Sequence, residues 1–286
     1  KGTPLWVLAK KQGLITASYF WVGSEAPIQG HFPHYYYKYK HDTPGDERVN
    51  QVLKWLKLPA INRPHFITLY FSRVDSAGHK YGPKSLQVKE ALFQVDDFLT
   101  RLFIEMKKLK LPLNTIIVSD HGMQKISKQK FIFIDKLLTK KDQAQMIGKG
   151  SFSMLYLANS KNIEKVYNRL KKHPHLDVYK KSNVPKRLHF SNNQNIGDII
   201  ISVKPPYYLL KNIKSKRPRG GTHGYDVKHG KEMHGIFIAK GPNIKPGIIS
   251  SFENIHIYPF VSKLLHLKNN GPIDGNPNIL KKFIRN

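Results

Sequence analysis

The sequence predicts an α/β fold, a mostly parallel sheet covered by helices. Three observations predict it. Short β-rich runs alternate with helical patterns through the whole length, and the Pro- and Gly-containing breaks fall between these elements and not within them. The third is size: 286 residues, 40% hydrophobic and 23% charged, can bury a large core as one big domain or two smaller ones.

In chain order, Thr16 to Phe20, His65 to Phe71, Thr115 to Ser119, Ser153 to Leu157, Ile196 to Val203 and Gly235 to Ala239 read as strands. Between them, Glu47 to Leu58, Lys89 to Leu109 and Asn162 to Lys172 place apolar residues three and four apart, as amphipathic helices do. Ile255 to Leu267 reads as one more. The breaks are Gly23 to Pro33, Lys204 to Tyr208, Arg217 to Gly224 and Lys240 to Gly247. With no internal repeat and no low-complexity tract, one domain over 1–286 is the simplest account, with about 146–205 as a subdomain inserted between sheet strands.

Composition narrows the chemistry. No apolar run approaches the roughly 18 residues of a membrane-spanning helix. With no Cys there is no disulfide framework and no thiolate, so a metal site must be built from His, Asp and Glu. Lys and Arg number 48 against 19 Asp and Glu, a net charge of +29 that favours anionic partners. The basic pairs are scattered, and only Lys214 to Arg219 is dense, so a solvated basic surface fits better than a specific nucleic-acid module. The chain opens on Lys1, without Met or a leader, and so reads as cut.

In sheets of this kind ligands gather at the carboxyl ends of strands, and three polar clusters fall near strand ends. After the second strand, Asp75 and His79 stand four apart across a small-residue turn. Alone, that pattern is more often a surface hydrogen bond than a metal pair. After the third strand come Asp120 and His121 followed by Gly122; the Asp alone would cap a turn, but a Gly that lets the backbone turn sharply suits two ligands better. The third cluster is Gly220 to Asp226, with Gly near His223 on both sides. Together the three offer five oxygen and nitrogen ligands without sulfur, which suits a pair of zinc ions or similar divalent cations bridging an anionic oxygen.

V-D-S-A-G-H at Val74 to His79, S-D-H-G-M at Ser119 to Met123 and G-T-H-G-Y-D at Gly221 to Asp226 resemble the nucleotide pyrophosphatase/phosphodiesterase family of the alkaline phosphatase superfamily. F-W-V-G-S at Phe20 to Ser24, the Tyr39, Pro44 and Arg48 spacing, and V-P-K-R-L-H-F at Val184 to Phe190 agree with it. The resemblance implies an alkaline-phosphatase-like sheet, here lacking its N-terminal strands, and two zinc ions. One would be held by Asp75, His79 and His223. The other would use Asp120 and His121 with an Asp and a nucleophilic Thr that lie further toward the N-terminus, so no catalytic residue is expected within this chain. Alone it is expected to be inactive; the complete enzyme would pass through a phosphorylated Thr and release nucleoside 5′-monophosphates.

The resemblance also implies a nucleotide pocket in which Tyr39 stacks on the base and Trp21 lines the wall. The plainer reading, as half-buried loop anchors, is preferred for Tyr35 to Tyr37. His229, His234, His173, His175, His256 and His266 read as structural or surface histidines. Asn269 to Gly275 departs from the family's usual motif. The family works outside the cytoplasm, which implies a periplasmic or secreted protein. Two other readings stay open: a choline-type or other non-nucleotide phosphodiesterase, and a metal- or polyanion-binding protein with no catalysis.

Overall fold

The computed structural model describes residues 2–191, 193–269 and 271–285. Asn270, within the divergent Asn269 to Gly275 stretch, lies outside the described residues. Along the chain run α1 (Leu5–Lys11), β1 (Thr16–Tyr19), β2 (Tyr35–Tyr37), α2 (Gly45–Leu56), β3 (Phe66–Leu69), α3 (Arg73–Tyr81) and α4 (Leu86–Lys108). Next come β4 (Thr115–Val118), β5 (Gln124–Lys125), β6 (Phe131–Phe133), β7 (Ala144–Lys149), β8 (Phe152–Leu157), α5 (Ile163–Lys171), β9 (Leu176–Lys180) and β10 (Ile199–Val203). The chain closes with β11 (Tyr208–Leu210), β12 (Gly221–Thr222), β13 (Phe237–Lys240), α6 (Ile257–Leu264) and α7 (Asn278–Lys281).

These elements divide into two compact units, Lys1–Arg73 with Ala91–Val118 and Phe237–Asn286, and Val74–Glu90 with Ser119–Ile236. In the first unit β1 lies between β2 and β3, parallel to both, which is why all four of its residues are buried. Against it α2 turns Val49, Val52, Leu53 and Leu56 inward at helical spacing, and they join Tyr19, Phe20 and Leu102 in one core cluster. Asp46 and Glu47 occupy the first turn of α2, where the helix dipole favours them. In the same unit β4 pairs antiparallel with β13.

The second unit is organised by an antiparallel sheet in the order β7, β8, β10, β9. Its inner strand β10 is buried at every residue. Ile199, Ile201 and Val203 pack with Val166 and Leu170 of α5 on one face, while Ile200 joins Val184 and Ile196 on the other. Parallel pairing returns in β6 and β11, and β5 pairs antiparallel with β12.

Three local expectations need correction. Tyr35 to Tyr37, read as loop anchors, form β2, because their backbone completes the free edge of β1. Asp75 and His79 lie not across a turn but on α3, where a spacing of four puts both side chains on one helix face. Gly122 has no left-handed φ; a Cβ there would stand 2.0 Å from the Glu232 carbonyl oxygen, so close backbone approach, not a sharp turn, demands Gly.

Candidate functional site

The short β5–β12 ladder explains how distant residues meet within the second unit. Gln124 pairs with Thr222 and Lys125 with Gly221, and Ile126 N–H donates to the Gly220 carbonyl at 3.0 Å. That pairing sets the loop carrying His121 beside the loop carrying His223. Their rings stack, with centres 3.5 Å apart and planes within 8°. On the other side Asp75 and His79 come from α3, whose His79 Nδ1 lies 2.9 Å from the Gly221 carbonyl oxygen.

Asp75 Oδ1 stands 3.5 Å from His79 Nε2 and 3.9 Å from His223 Nε2, and the two imidazole nitrogens are 3.2 Å apart. One ligand atom from each of these three residues lies within 4.8 Å of the others. A carbonyl oxygen only accepts, so His79 Nδ1 carries the hydrogen and Nε2 turns its lone pair toward the cluster. His121 Nδ1, 2.8 Å from the Gly122 carbonyl oxygen, is set the same way. Burial lowers the pKa of His223, and the His121 ring beside it lowers it further, which favours the neutral ring.

The cluster fits a cation on its own terms. Asp75 Oδ1 is buried and accepts no hydrogen bond, although two imidazole nitrogens face it. An unpaired carboxylate oxygen out of water is costly, and a divalent ion among one carboxylate and two imidazoles would relieve that cost. Asp120 and His121 form a second, adjacent pair: Asp120 Oδ2 lies 3.4 Å from His121 Nε2, and its other oxygen accepts the His121 N–H at 3.1 Å. The Asp120 side chain is 72% exposed.

Tyr39 and Trp21 belong to the first unit. The chain leaves β1 through Phe20, and Ser24 then donates from both N–H and Oγ to the Trp21 carbonyl, closing a tight loop. Phe20, Trp21, Tyr37, Tyr39 and Tyr70 line a cavity of about 280 Å³. Tyr39 is held there by Glu25, which accepts its N–H at 2.6 Å, and by its own hydroxyl donating to Ser72 Oγ at 3.1 Å. The residue is 39% exposed, and its ring meets Phe20 edge-on.

Of the other histidines, His229 Nε2 pairs with Asp177 at 2.6 Å and His175 stacks on Tyr207, both structural contacts. Three residues that support the loops had no assigned role in the sequence. Arg48, Arg187 and Asp226 all fall inside the motifs quoted above, but nothing in a single sequence shows what each one reaches.

Solved structures of similar fold define the class. The chain aligns to human ectonucleotide pyrophosphatase/phosphodiesterase 5 with a TM-score of 0.90 and 30% identity, over 99% of this chain and 75% of that one. The murine counterpart, solved as an inactive Thr-to-Ala variant in complex with AMP, aligns with a TM-score of 0.89 and 29% identity over the same shares. The fold is therefore alkaline-phosphatase-like α/β. The family profile described as type I phosphodiesterase / nucleotide pyrophosphatase matches residues 1–226, and the chain belongs to that family.

Among curated relatives, a venom phosphodiesterase of Naja atra is 38% identical over 100% of this chain and 35% of its own length. Ectonucleotide pyrophosphatase/phosphodiesterase family member 1 of Homo sapiens is 36% identical over 100% of this chain and 32% of its own. The chain thus spans about a third of the length of the curated relatives it matches. Among the described residues no helix is long and apolar enough to cross a membrane.

Proposed function

We propose that this protein serves zinc-dependent hydrolysis of nucleotide phosphodiester and pyrophosphate bonds, releasing nucleoside 5′-monophosphates. The observation that carries the reading is the convergence of Asp75, His79 and His223, with a buried carboxylate oxygen that no hydrogen bond satisfies. These three residues would hold one zinc ion, and Asp120 and His121 would contribute to a second. When bound, two such ions polarise a phosphodiester oxygen and lower the pKa of a hydroxyl nucleophile. Gly221 and Gly122 carbonyls keep His79 and His121 in the tautomer that offers Nε2.

The nucleophile in this reading is a Thr N-terminal to Lys1, a role supported by the inactive Thr-to-Ala variant of the murine relative. The AMP in that complex supports a nucleotide ligand, and the cavity lined by Trp21 and Tyr39 has the flat aromatic surface a base needs. Residues 1–286 would then form one catalytic domain, with about 146–205 as an insert that the sheet of β7, β8, β10 and β9 mostly fills. Relatives named for venom and as ectonucleotide enzymes support an extracellular or periplasmic place.

A second reading has one observation in its favour. Lys125, Lys128 and Arg219 line a cavity of about 440 Å³ with no carboxylate among its lining residues, which supports contact with polyanions.

The test is turnover of a chromogenic nucleoside 5′-phosphodiester by the protein carrying the upstream Thr. Activity should vanish on chelation, return with zinc and be lost in His223→Ala. Turnover that survives both chelation and His223→Ala would contradict the reading.

A further inference from the structure

The β5–β12 ladder fastens the His223 loop on its N-terminal side, up to Thr222; the fastenings after His223 are different. Gly224 beyond it takes φ +87°, a backbone conformation that L-residues with a Cβ rarely adopt. The His223 carbonyl oxygen accepts from Ser151 Oγ, and the Tyr225 hydroxyl donates to the Tyr207 carbonyl at 2.7 Å. Both are neutral bonds. Three residues after His223 comes a contact of a different kind. Asp226 receives both arms of the Arg187 guanidinium, Nη1 to Oδ1 at 2.8 Å and Nη2 to Oδ2.

The pair is placed to matter. The Asp226 side chain is 2% exposed, and its Oδ1 also accepts the Lys228 N–H at 3.1 Å. Arg187 arrives from the 3₁₀ turn Lys186–Leu188, between β9 and β10, so the contact ties the His223 loop to the four-stranded sheet region. Beyond Asp226 the chain is tied again. Lys228 Nζ lies 2.7 Å from Asp177 of β9 and 3.9 Å from Asp226, and His229 Nε2 bonds the same Asp177. Bidentate guanidinium–carboxylate bonds fix direction as well as distance, and charge-assisted bonds are roughly twice as strong as neutral ones.

We propose that the Arg187–Asp226 pair is the clamp that sets His223 in its ring-to-ring position on His121 and within reach of Asp75 and His79. Arg187 and Asp226 are positioning residues, acting only through His223. The consequence for zinc rests on the metal-site reading; the position of the ring does not. Loss of the pair leaves the stretch between His223 and the Lys228–Asp177 tie on its neutral bonds, and the His223 ring swings out of register with its neighbours.

The experiment keeps these two claims apart. Proton NMR of the metal-free 286-residue chain reads the imidazole C–H signals of His121 and His223, which mutual stacking shifts upfield. Arg187→Met and Asp226→Asn should return them toward ordinary positions. Arg187→Lys, which keeps the charge but cannot bond in parallel, should restore only part of the shift. Asp142→Asn breaks the Arg169–Asp142 pair elsewhere in the same unit and should leave the histidine signals in place. Cobalt(II) titration of the same proteins should show a roughly 10- to 100-fold weaker affinity, the usual effect of losing outer support to a ligand, for Arg187→Met alone of the Arg187→Met and Asp142→Asn pair.

If Arg187→Met and Asp142→Asn lower the melting temperature alike while neither moves the histidine signals, the pair is ordinary structural support and the proposal is overturned. Should Asp226→Asn fail to fold, Arg187→Lys decides alone: wild-type histidine signals in that variant overturn the parallel-bond clamp. A wild-type chain that binds no cobalt removes the metal-site reading, and the NMR shifts still decide the clamp.

Discussion

Arg48, a residue only 4% exposed, donates from guanidinium Nη1 to the Tyr70 carbonyl oxygen at 2.7 Å. Its other nitrogens serve the carbonyls of Thr43 and His41, both at 3.1 Å. One buried side chain thus fastens the loop that leads from Tyr39 into α2. Arg48→Ala would remove all three bonds, and at about 1.5–3 kcal/mol per bond to a charged group the loss should reach at least ~4.5 kcal/mol. Chemical denaturation measures it. A loss under about 1 kcal/mol would mean that water replaces the guanidinium without penalty.

Tyr39 separates ring from hydroxyl. If its ring stacks on a base, Tyr39→Ala should lower kcat/KM for a nucleoside phosphodiester by about 5- to 150-fold, equivalent to roughly 1–3 kcal/mol. A simple aryl phosphodiester of equal charge should be affected much less. Tyr39→Phe keeps the ring and gives up the bond to Ser72 Oγ, which costs stability of about 0.5–1.5 kcal/mol with little effect on turnover. Equal losses on both substrates in Tyr39→Ala would make the residue a structural anchor.

Acid sensitivity should be traceable to Asp142. Burial alone would raise its pKa, but hydrogen bonds from Arg169 and Thr139 outweigh burial and hold the carboxyl below its usual range. A carboxyl whose folded pKa is depressed contributes stability above its unfolded value of about 3.9, and that contribution is lost as pH falls through the lower folded value. Asp142→Asn should therefore destabilise at neutral pH, by about 3 kcal/mol because Arg169 remains 31% exposed, and flatten the acid limb of a stability profile. An acid limb unchanged from wild type would assign that loss to other carboxylates.

Gly122→Ala should harm the site without touching a ligand atom. A Cβ 2.0 Å from the Glu232 carbonyl oxygen and 2.8 Å from that of His234 meets backbone on both sides, so the loop carrying His121 must shift. The expected cost is about 1–3 kcal/mol in thermal or chemical denaturation, with disturbed stacking of His121 on His223. Wild-type stability in this variant would mean that the backbone at 232–234 gives way freely.

Much of this was legible in sequence. The runs around β1, β3, β4, β8, β10 and β13, and the helices α2, α4, α5 and α6, carry their own hydrophobic period and were placed within a few residues of their ends. The candidate site residues could be picked out because each motif is compact: Asp75 and His79 are one helical turn apart, Asp120 and His121 adjacent, and His223 set off by glycines. What escaped depends on partners. β2 exists because β1 offers it an edge, and β5 and β12, two residues each, exist only as a pair. Arg187 and Asp226 stand 39 residues apart, and no local pattern announces that a guanidinium from one motif meets the carboxylate of another.

Metal content after dialysis against zinc, compared in wild type, His223→Ala and His121→Ala, tests the three-ligand site most directly. Asp75, His79 and His223 form a three-ligand set whose atoms already lie within 4.8 Å, whereas Asp120, largely exposed, and His121 offer only two ligands. The chain should retain about one zinc ion, lose it in His223→Ala and mostly keep it in His121→Ala. Equal loss in both variants, or no zinc in wild type, would contradict the assignment of Asp75, His79 and His223 as one metal site.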